Sequence, residues 1–316
     1  MRMVISASAL SPALPRIVQR VEYLTANDRL RLACEHFGDE ASPSLVFAHG
    51  FGQTRHAWDD TAATLAQSGW HCLTADARGH GDSGWRADGH YDYAQLTGDL
   101  VQLARASTHS TGPRPILIGA SMGGLLGLSA QAQSAAFRAL VLVDITPRWE
   151  AAGVARILDF MRAHPQGFAN LDEAADAITL YLPHRSRGKS PERLRQMLIT
   201  GDDGRLRWHW DPQLLDFVAA DSEPLQSALL DAARGIDVPT LLISGEHSDV
   251  VSAATIREFL EHVPHARHVR VEKATHMVAG DSNAAFTRSV LDFIQSSAIA
   301  ESTTLNYIQH HPRITS

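Results

Sequence analysis

The chain has 316 residues, of which 44% are hydrophobic and 20% charged, and its formal net charge is −7 at pH 7. These fractions are typical of soluble globular proteins and exclude a chain that is disordered throughout. An acidic chain without a basic stripe is a poor candidate for binding nucleic acid or an anionic membrane. The length suits two domains, or one large α/β unit with an insertion.

The chain ends and the cysteines carry few signals. Two cysteines, Cys34 and Cys72, are too few for a disulfide framework or a cysteine-based zinc site. Residues 1–18 match a signal peptide only weakly, so we expect a flexible arm there and a cytoplasmic protein. The polar, aperiodic residues 299–316 predict a flexible tail. No apolar run approaches the roughly 18–20 residues that span a bilayer.

Strands alternate with helical segments along the first half of the chain, which is typical of a mostly parallel sheet. Before this alternation, Val21–Thr25 and Leu30–Phe37 predict an antiparallel hairpin. The predicted strands that follow are Ser44–Ala48, Trp70–Ala75, Pro115–Gly119 and Ala139–Val143. The predicted helices between them are Trp58–Gln67, Tyr91–Ser107 and Leu125–Ser134.

The alternation lapses over residues 147–235, where the pattern predicts helices and loops without strands. It resumes with the predicted strands Pro239–Ser244 and His268–Val271, which are followed by the predicted helices Ala253–His262 and Ala284–Ser296 respectively. We therefore predict one α/β core, made of residues 19–146 and 236–298. A helical cap over residues 147–235 is predicted to interrupt it.

A serine lies in the motif Gly119-Ala120-Ser121-Met122-Gly123, which fits G-x-S-x-G. The motif follows an apolar strand and precedes a helical run, and this context is what the sharp turn around a nucleophilic serine requires. Glycines on both sides allow such a turn. The turn would place the hydroxyl at the carboxyl end of the sheet, on a helix N-terminus that favours developing negative charge.

Several motifs in chain order carry a family resemblance. These are His49-Gly50-Phe51-Gly52, Asp76-x-Arg78-Gly79-His80-Gly81-x-Ser83, the Ser121 turn and, after the last strand, His276. With them the chain resembles the serine-nucleophile, lidded branch of the α/β-hydrolase superfamily. The resemblance spans about residues 21–297 and implies an α/β-hydrolase sheet with flanking helices and an inserted cap. Its motifs are specific for the fold and not for a substrate.

The resemblance also implies an oxyanion hole. One backbone N–H donor is expected from Met122, the residue after the nucleophile, and the other from Phe51. Gly50 and Gly52 allow the backbone to turn the Phe51 N–H inward. His49 is expected to brace this loop. The acidic and histidine residues of the segment 76–83 are expected to be scaffold, because no regular spacing would converge them as metal ligands.

Chain order selects the base, since the triad of this fold runs Ser, then Asp or Glu, then His. The chain has 17 histidines, and His276 lies between the last predicted strand and the last predicted helix. Two acids compete to orient it, Asp249 and Asp144, and both follow predicted strands. We favour Asp249, because its loop is long enough to reach inward and the family most often keeps its acid there.

These residues predict a hydrolase that cleaves carboxylic esters, with lactones included, through an acyl-enzyme intermediate. The expected partner is a small ester-like substrate, with no metal or organic cofactor. Carbon–carbon bond hydrolysis or perhydrolysis on the same triad is an alternative, as is a ligand receptor with slow or no turnover. The cap is expected to govern substrate specificity rather than chemistry.

Overall fold

The computed structural model of the protein describes residues 19–108, 112–182, 191–219 and 222–296. The predicted arm (1–18) and tail (299–316) lie outside the described residues. In the described part of the chain, no helix is both long enough and apolar enough to cross a membrane.

The described strands are β1 (Gln19–Thr25), β2 (Arg31–Phe37), β3 (Ser44–Ala48), β4 (His71–Ala75), β5 (Ile116–Ala120), β6 (Ala139–Val143), β7 (Leu198–Thr200), β8 (Leu206–Trp208), β9 (Thr240–Gly245) and β10 (Arg267–Val271). Eight of them form one sheet in the order β1-β2-β4-β3-β5-β6-β9-β10. β2 runs antiparallel to β1 and β4, and the other neighbours are parallel. The predicted mostly parallel sheet and its opening hairpin are confirmed.

The described helices are α1 (Asp59–Gln67), α2 (Tyr93–Ala106), α3 (Met122–Ser134), α4 (Ala151–Arg162), α5 (Leu171–Tyr181), α6 (Pro191–Arg195), α7 (Leu214–Ala219), α8 (Ser222–Arg234), α9 (Ala253–His262), α10 (Val278–Asp281) and α11 (Asn283–Ile294). A single 3₁₀ turn, Arg55–Trp58, leads into α1. α2 begins with a capping box, in which Asp92 and Gln95 satisfy each other's backbone N–H groups.

Each face of the sheet packs against its own set of helices. Leu45 and Phe47 of β3 pack with apolar residues of α1 and α11, whereas Val46 between them packs with α2, α3 and α8 on the other face. This alternation follows the two-residue period of a strand. Because both faces are covered, the central strands are apolar throughout and the polar chemistry is left to the strand ends.

The segment between β6 and β9 contains α4 to α8. Buried residues of α4 to α7 form a separate apolar cluster around Phe168, Trp208 and Leu214, whereas α8 packs with the α/β core. The prediction that this segment has no strands is wrong. β7 and β8 pair as an antiparallel hairpin, with Leu198 opposite Trp208. Gly201 and Gly204 lie in the turn between them, and Gly204 has a φ of +76° that glycine readily adopts. Strands of three residues are too short for their alternation to stand out in a sequence.

α3 lies unusually close to the sheet, because glycines replace side chains where they meet. A Cβ on Gly123 would lie 2.3 Å from the carbonyl oxygen of Ala48 in β3. A Cβ on Gly119 would lie 2.6 Å from the carbonyl oxygen of Gly123. The turn between β5 and α3 therefore depends on the absence of side chains at these two positions.

We expect Gly123→Ala to destabilise the protein by about 1–3 kcal/mol, the usual cost of forcing an extra carbon into a packed interior. The measurement is the free energy of unfolding from urea denaturation. Gly98→Ala is the matched control: Gly98 lies within α2, and a Cβ there meets no atom within 4 Å. We expect this control to gain about 0.5–1 kcal/mol from helix propensity. Equal stability of the two variants would contradict the packing argument.

Candidate active site

Ser121 occupies the turn between β5 and α3 with a strained backbone, at φ 47° and ψ −117°. Its N–H donates to the carbonyl of Val143 at 3.0 Å, and its carbonyl accepts from Gly124 and Leu125. A non-glycine residue held in such a region costs about 1–3 kcal/mol and persists only where the surroundings enforce it. The side chain lines a cavity at the carboxyl end of the sheet.

The loop after β3 lies directly against Ser121. A Cβ on Gly50 would lie 3.2 Å from the Cβ of Ser121. The loop is a turn in which the Gln53 N–H donates to the Gly50 carbonyl at 3.1 Å, with Gly52 at a φ of +73°. That turn does not use the N–H of Phe51. Met122 is the first residue of α3, so its N–H has no partner within the helix.

Two buried histidines hold this loop in place. His49 donates from Nδ1 to the Gly50 carbonyl and accepts from the Ala77 N–H at Nε2, both at 2.9 Å. His80 accepts the Gly52 N–H at Nε2, at 3.2 Å, and donates from Nδ1 to a backbone carbonyl. Each ring must be neutral to accept at Nε2.

Burial favours this neutral form of both rings. Desolvation lowers the pKa of His49 below its ordinary value. Desolvation and the nearby His49 hold the pKa of His80 well below its ordinary value. The structure therefore places His49 as a brace of the loop, and His80 performs a second bracing role that the sequence did not reveal.

His276 is oriented by a buried carboxylate. Its Nδ1 lies 2.7 Å from Oδ2 of Asp144, whose side chain has no exposed surface. Because an ionised carboxylate can only accept, Nδ1 carries the proton and Nε2 is the free basic nitrogen. Asp144 also accepts from the N–H of Gly245 at 2.7 Å and from the hydroxyl of Ser248. Three donors thus fix this carboxylate.

The preference for Asp249 as the partner of His276 is corrected by this geometry. Asp249 forms an ion pair with Arg156 of α4 instead, at 2.5 Å. The backbone of α4 also lies very close to the backbone of Asp249, since a Cβ on Gly153 would lie 2.1 Å from the Asp249 carbonyl oxygen. Asp249 is therefore drawn toward α4 and joins that helix to the α/β core.

Strand order explains why Asp144 holds the position. β6 is the direct neighbour of β5, the strand that Ser121 follows, whereas β9 lies one strand further away. Asp144 follows β6 immediately and has a φ of +50°, a left-handed conformation that turns the chain sharply at the strand end. The sequence signal was the aspartate directly after the all-apolar Ala139–Val143, but sequence alone does not give the neighbours of a strand.

The segment 76–83 serves as scaffold. Asp76 accepts from the backbone N–H of Arg55 at 2.6 Å and from that residue's guanidinium, and it also accepts from the Asp82 N–H. The hydroxyl of Ser83 donates to the Asp76 carbonyl at 2.7 Å and accepts from the Ala33 N–H. These bonds fasten the segment that presents His80.

Among the described residues, one trio has its candidate metal-ligand atoms within 4.8 Å of one another: Glu35, His56 and Asp59. The guanidinium of Arg55 lies 3.4 Å from Glu35, and His56 bonds to Asp59 at 3.2 Å. Burial opposes charge on His56, but the bond and the charge of Asp59 outweigh it and raise the pKa of His56. Both carboxylates of the trio therefore face a basic side chain of the protein, Glu35 facing Arg55 and Asp59 facing His56.

A cavity of about 1280 Å³ opens above Ser121 and His276. Phe51 and Met122 line it, together with the 3₁₀ turn before α1, Asp60 of α1 and the loop around His276. The segment between β6 and β9 supplies an apolar wall, which includes Val154, Ile157, Leu158, Phe160, Met161 and Phe217. A concave, largely apolar site with a few converging polar groups is the usual form of a small-molecule site.

Comparison with known families agrees with this geometry. The family described as alpha/beta hydrolase fold matches residues 43–282, a range that contains Ser121, Asp144 and His276. The chain belongs to the α/β-hydrolase family. Proteins that resemble the chain include esterases and other hydrolases.

Three similar α/β hydrolases illustrate the relationship. The 3-hydroxybutyrate-oligomer hydrolase of Cupriavidus necator is 29% identical over 262 residues, which cover 78% of this chain and 87% of that protein. An esterase of Mycobacterium tuberculosis is 29% identical over 268 residues, covering 80% and 84% of the two chains. A solved α/β hydrolase of Novosphingobium aromaticivorans superimposes with a TM-score of 0.74 at 25% identity, covering 88% of this chain and 98% of that one.

We expect Asp144→Asn to lower the turnover of an activated ester by about 10⁴-fold, because the amide no longer fixes the imidazole tautomer or stabilises the imidazolium. Asp249→Asn is the matched control. It removes a partly exposed ion pair worth up to about 1 kcal/mol and should leave turnover within a few-fold of wild type. Turnover and melting temperature are measured for both variants. Near-normal turnover of Asp144→Asn beside an inactive Asp249→Asn would contradict the assignment of Asp144 as the acid that orients His276.

Proposed function

We propose that this α/β hydrolase is a serine hydrolase that cleaves carboxylic ester bonds, with Ser121 as nucleophile, His276 as base and Asp144 as the orienting acid. The observation that carries the proposal is the hydrogen bond from His276 to the buried Asp144, together with the strained Ser121, which lines the same largely apolar cavity as His276. The similarity to an esterase and to an oligomer hydrolase also supports ester chemistry.

The reaction follows from the position of the protons. Nε2 of His276 takes the proton of Ser121 as its Oγ attacks the ester carbonyl, giving a tetrahedral oxyanion. The N–H groups of Phe51 and Met122 donate to this oxyanion, and preorganised donors of this kind contribute about 3–4 kcal/mol each to the transition state. Collapse breaks the ester C–O bond, and His276 protonates the departing alcohol. Water, deprotonated by His276, then hydrolyses the acyl-enzyme and restores Ser121.

The buried Asp144 keeps this cycle aligned. Its charge favours the imidazolium that forms when Ser121 loses its proton, and its three hydrogen bonds prevent the carboxylate from rotating away. A serine nucleophile suits acyl transfer, since the ester that it forms is itself hydrolysed by water.

The apolar wall of the cavity favours a substrate with a substantial apolar group. Burial of each methylene contributes about 0.8 kcal/mol, which corresponds to about a fourfold gain in affinity for the transition state. The aromatic pair Phe160 and Tyr181, stacked with ring centroids 4.2 Å apart, gives part of this wall a rigid surface.

We expect Ser121→Ala to lose about 10⁶-fold in ester turnover, since the members of a triad act as a unit. The fold should be retained, because the substitution replaces only the hydroxyl group of Ser121 by a hydrogen atom. A serine-directed fluorophosphonate should label the wild-type protein at Ser121 alone. Ser68→Ala, at the exposed end of α1, is the control that keeps full activity. Wild-type turnover or labelling in Ser121→Ala would refute the nucleophile.

We expect kcat/KM to rise when either the acyl or the alcohol chain of an activated ester is lengthened from two to eight carbons, by up to about fourfold per methylene. Phe160→Ala should flatten the rise while leaving the two-carbon ester almost unaffected. Leu180→Ala, in the same helix α5 as Tyr181 and 83% exposed, should leave the slope unchanged. A flat series for both chains in the wild type would contradict the apolar substrate.

A further inference from the structure

The side chain of Phe51 is held between the α/β core and the segment between β6 and β9, which supplies the apolar wall of the cavity and is called the covering segment below. On the core side, its ring meets the ring of His80 edge-on, with centroids 5.7 Å apart at 89°. On the other side it contacts the indole of Trp210, with centroids 5.2 Å apart at 60°. Trp210 lies between β8 and α7, far from Phe51 along the chain, and is only 4% exposed.

The chain around Trp210 is fastened to the scaffold segment that carries His80. Trp210 and His80 form an isolated β-bridge. The Gly81 N–H donates to the carbonyl of His209, and the Asp211 N–H donates to the carbonyl of Gly79, both at 2.7 Å. Two backbone bonds thus fix Trp210 and His80 relative to each other.

A side-chain bond strengthens the same attachment. The hydroxyl of Tyr91 donates to the buried carboxylate of Asp211 at 2.6 Å. Because Asp211 follows Trp210 directly, this bond limits movement of the indole. The indole ring that faces Phe51 is therefore held in place by hydrogen bonds of the residues next to it.

A second residue of the covering segment contacts the same turn. A Cβ on Gly52 would lie 2.0 Å from Cε of Met161 in α4, so Met161 occupies the space that a side chain at Gly52 would need. The Gly52 N–H is held by His80 on the opposite side. The ring of Phe51 and the Phe51–Gly52 peptide that follows its N–H are thus confined by Trp210, Met161 and His80 together.

We propose that Trp210 is a positioning residue of the oxyanion hole, which fixes the direction of the Phe51 N–H through the ring of Phe51. The inference rests on the proposed ester hydrolysis. It departs from the expectation that the cap governs specificity rather than chemistry, because the residue that holds one of the two proposed oxyanion donors comes from the cap. A displacement of about 1 Å in a catalytic group can cost about 10²-fold in rate.

The test separates positioning from general stability through kcat and KM. We expect Trp210→Leu to lower kcat by about 10- to 100-fold, with KM for a two-carbon activated ester within about threefold of wild type. Trp210→Phe, which keeps a ring against Phe51, should recover most of kcat. Trp85→Leu, at a tryptophan that is 44% exposed, should match wild type in both constants. A rise in KM at unchanged kcat would overturn the proposal.

A double-mutant cycle with Phe51→Leu approaches the same contact from the core side. If Trp210 acts through Phe51, the double variant should be no slower than the slower single variant by more than about threefold, because contacting residues are not additive. Multiplied losses would overturn the proposal. If Trp210→Leu does not fold, Phe51→Leu alone tests the contact from the core side, and wild-type kcat in that variant overturns the proposal.

The outcome is distinguishable from a failure of the proposed function. Absence of wild-type ester turnover, or full turnover in Ser121→Ala, would refute ester hydrolysis by Ser121. Wild-type turnover that depends on Ser121 but not on Trp210 would refute only the positioning role.

Discussion

The strained backbone of Ser121 is the constraint on which the rest of the site depends. With φ at 47°, the turn is stable only because β5 and α3 are forced together around it. The glycines at 119 and 123 permit that approach, and the carbonyl of Ala48 in β3 fills the space beside Gly123. The same proximity brings the end of β3, and so the Phe51 turn, against Ser121. One close contact between a helix and a sheet thus positions both Ser121, the proposed nucleophile, and the Phe51 turn.

Around that turn, the protein controls protons by burial. His49 and His80 are kept neutral by desolvation, so that each can accept a backbone N–H from the loops they hold. His276 lies at the cavity instead, with one nitrogen committed to Asp144 and the other available for proton transfer. The same side-chain type therefore provides rigid support in two places and, in the proposed mechanism, acid–base chemistry in a third. The surroundings of each ring decide the difference.

The covering segment is attached to the core at two places that serve different ends. Near Asp249, the ion pair with Arg156 and the close approach of Gly153 fasten α4. At the other attachment, Trp210 contacts Phe51, which carries one of the proposed oxyanion donors. The apolar wall and the support of the oxyanion loop come from one segment. A substrate that fills the cavity would therefore contact α4, whose Met161 both lines the cavity and packs against Gly52.

The sequence by itself determined the α/β fold, the turn at Ser121 and the position of His276. These signals are local: an apolar strand, a glycine-flanked serine and a helical run within about 20 residues, in a known chain order. Tertiary structure alone decided which acid meets His276, because Asp144 and Asp249 both follow strands and strand order in a sheet is not a local property. It also decided the contact between Trp210 and Phe51 and the short hairpin of β7 and β8. Such pairings depend on non-local packing, which residue periodicity does not encode.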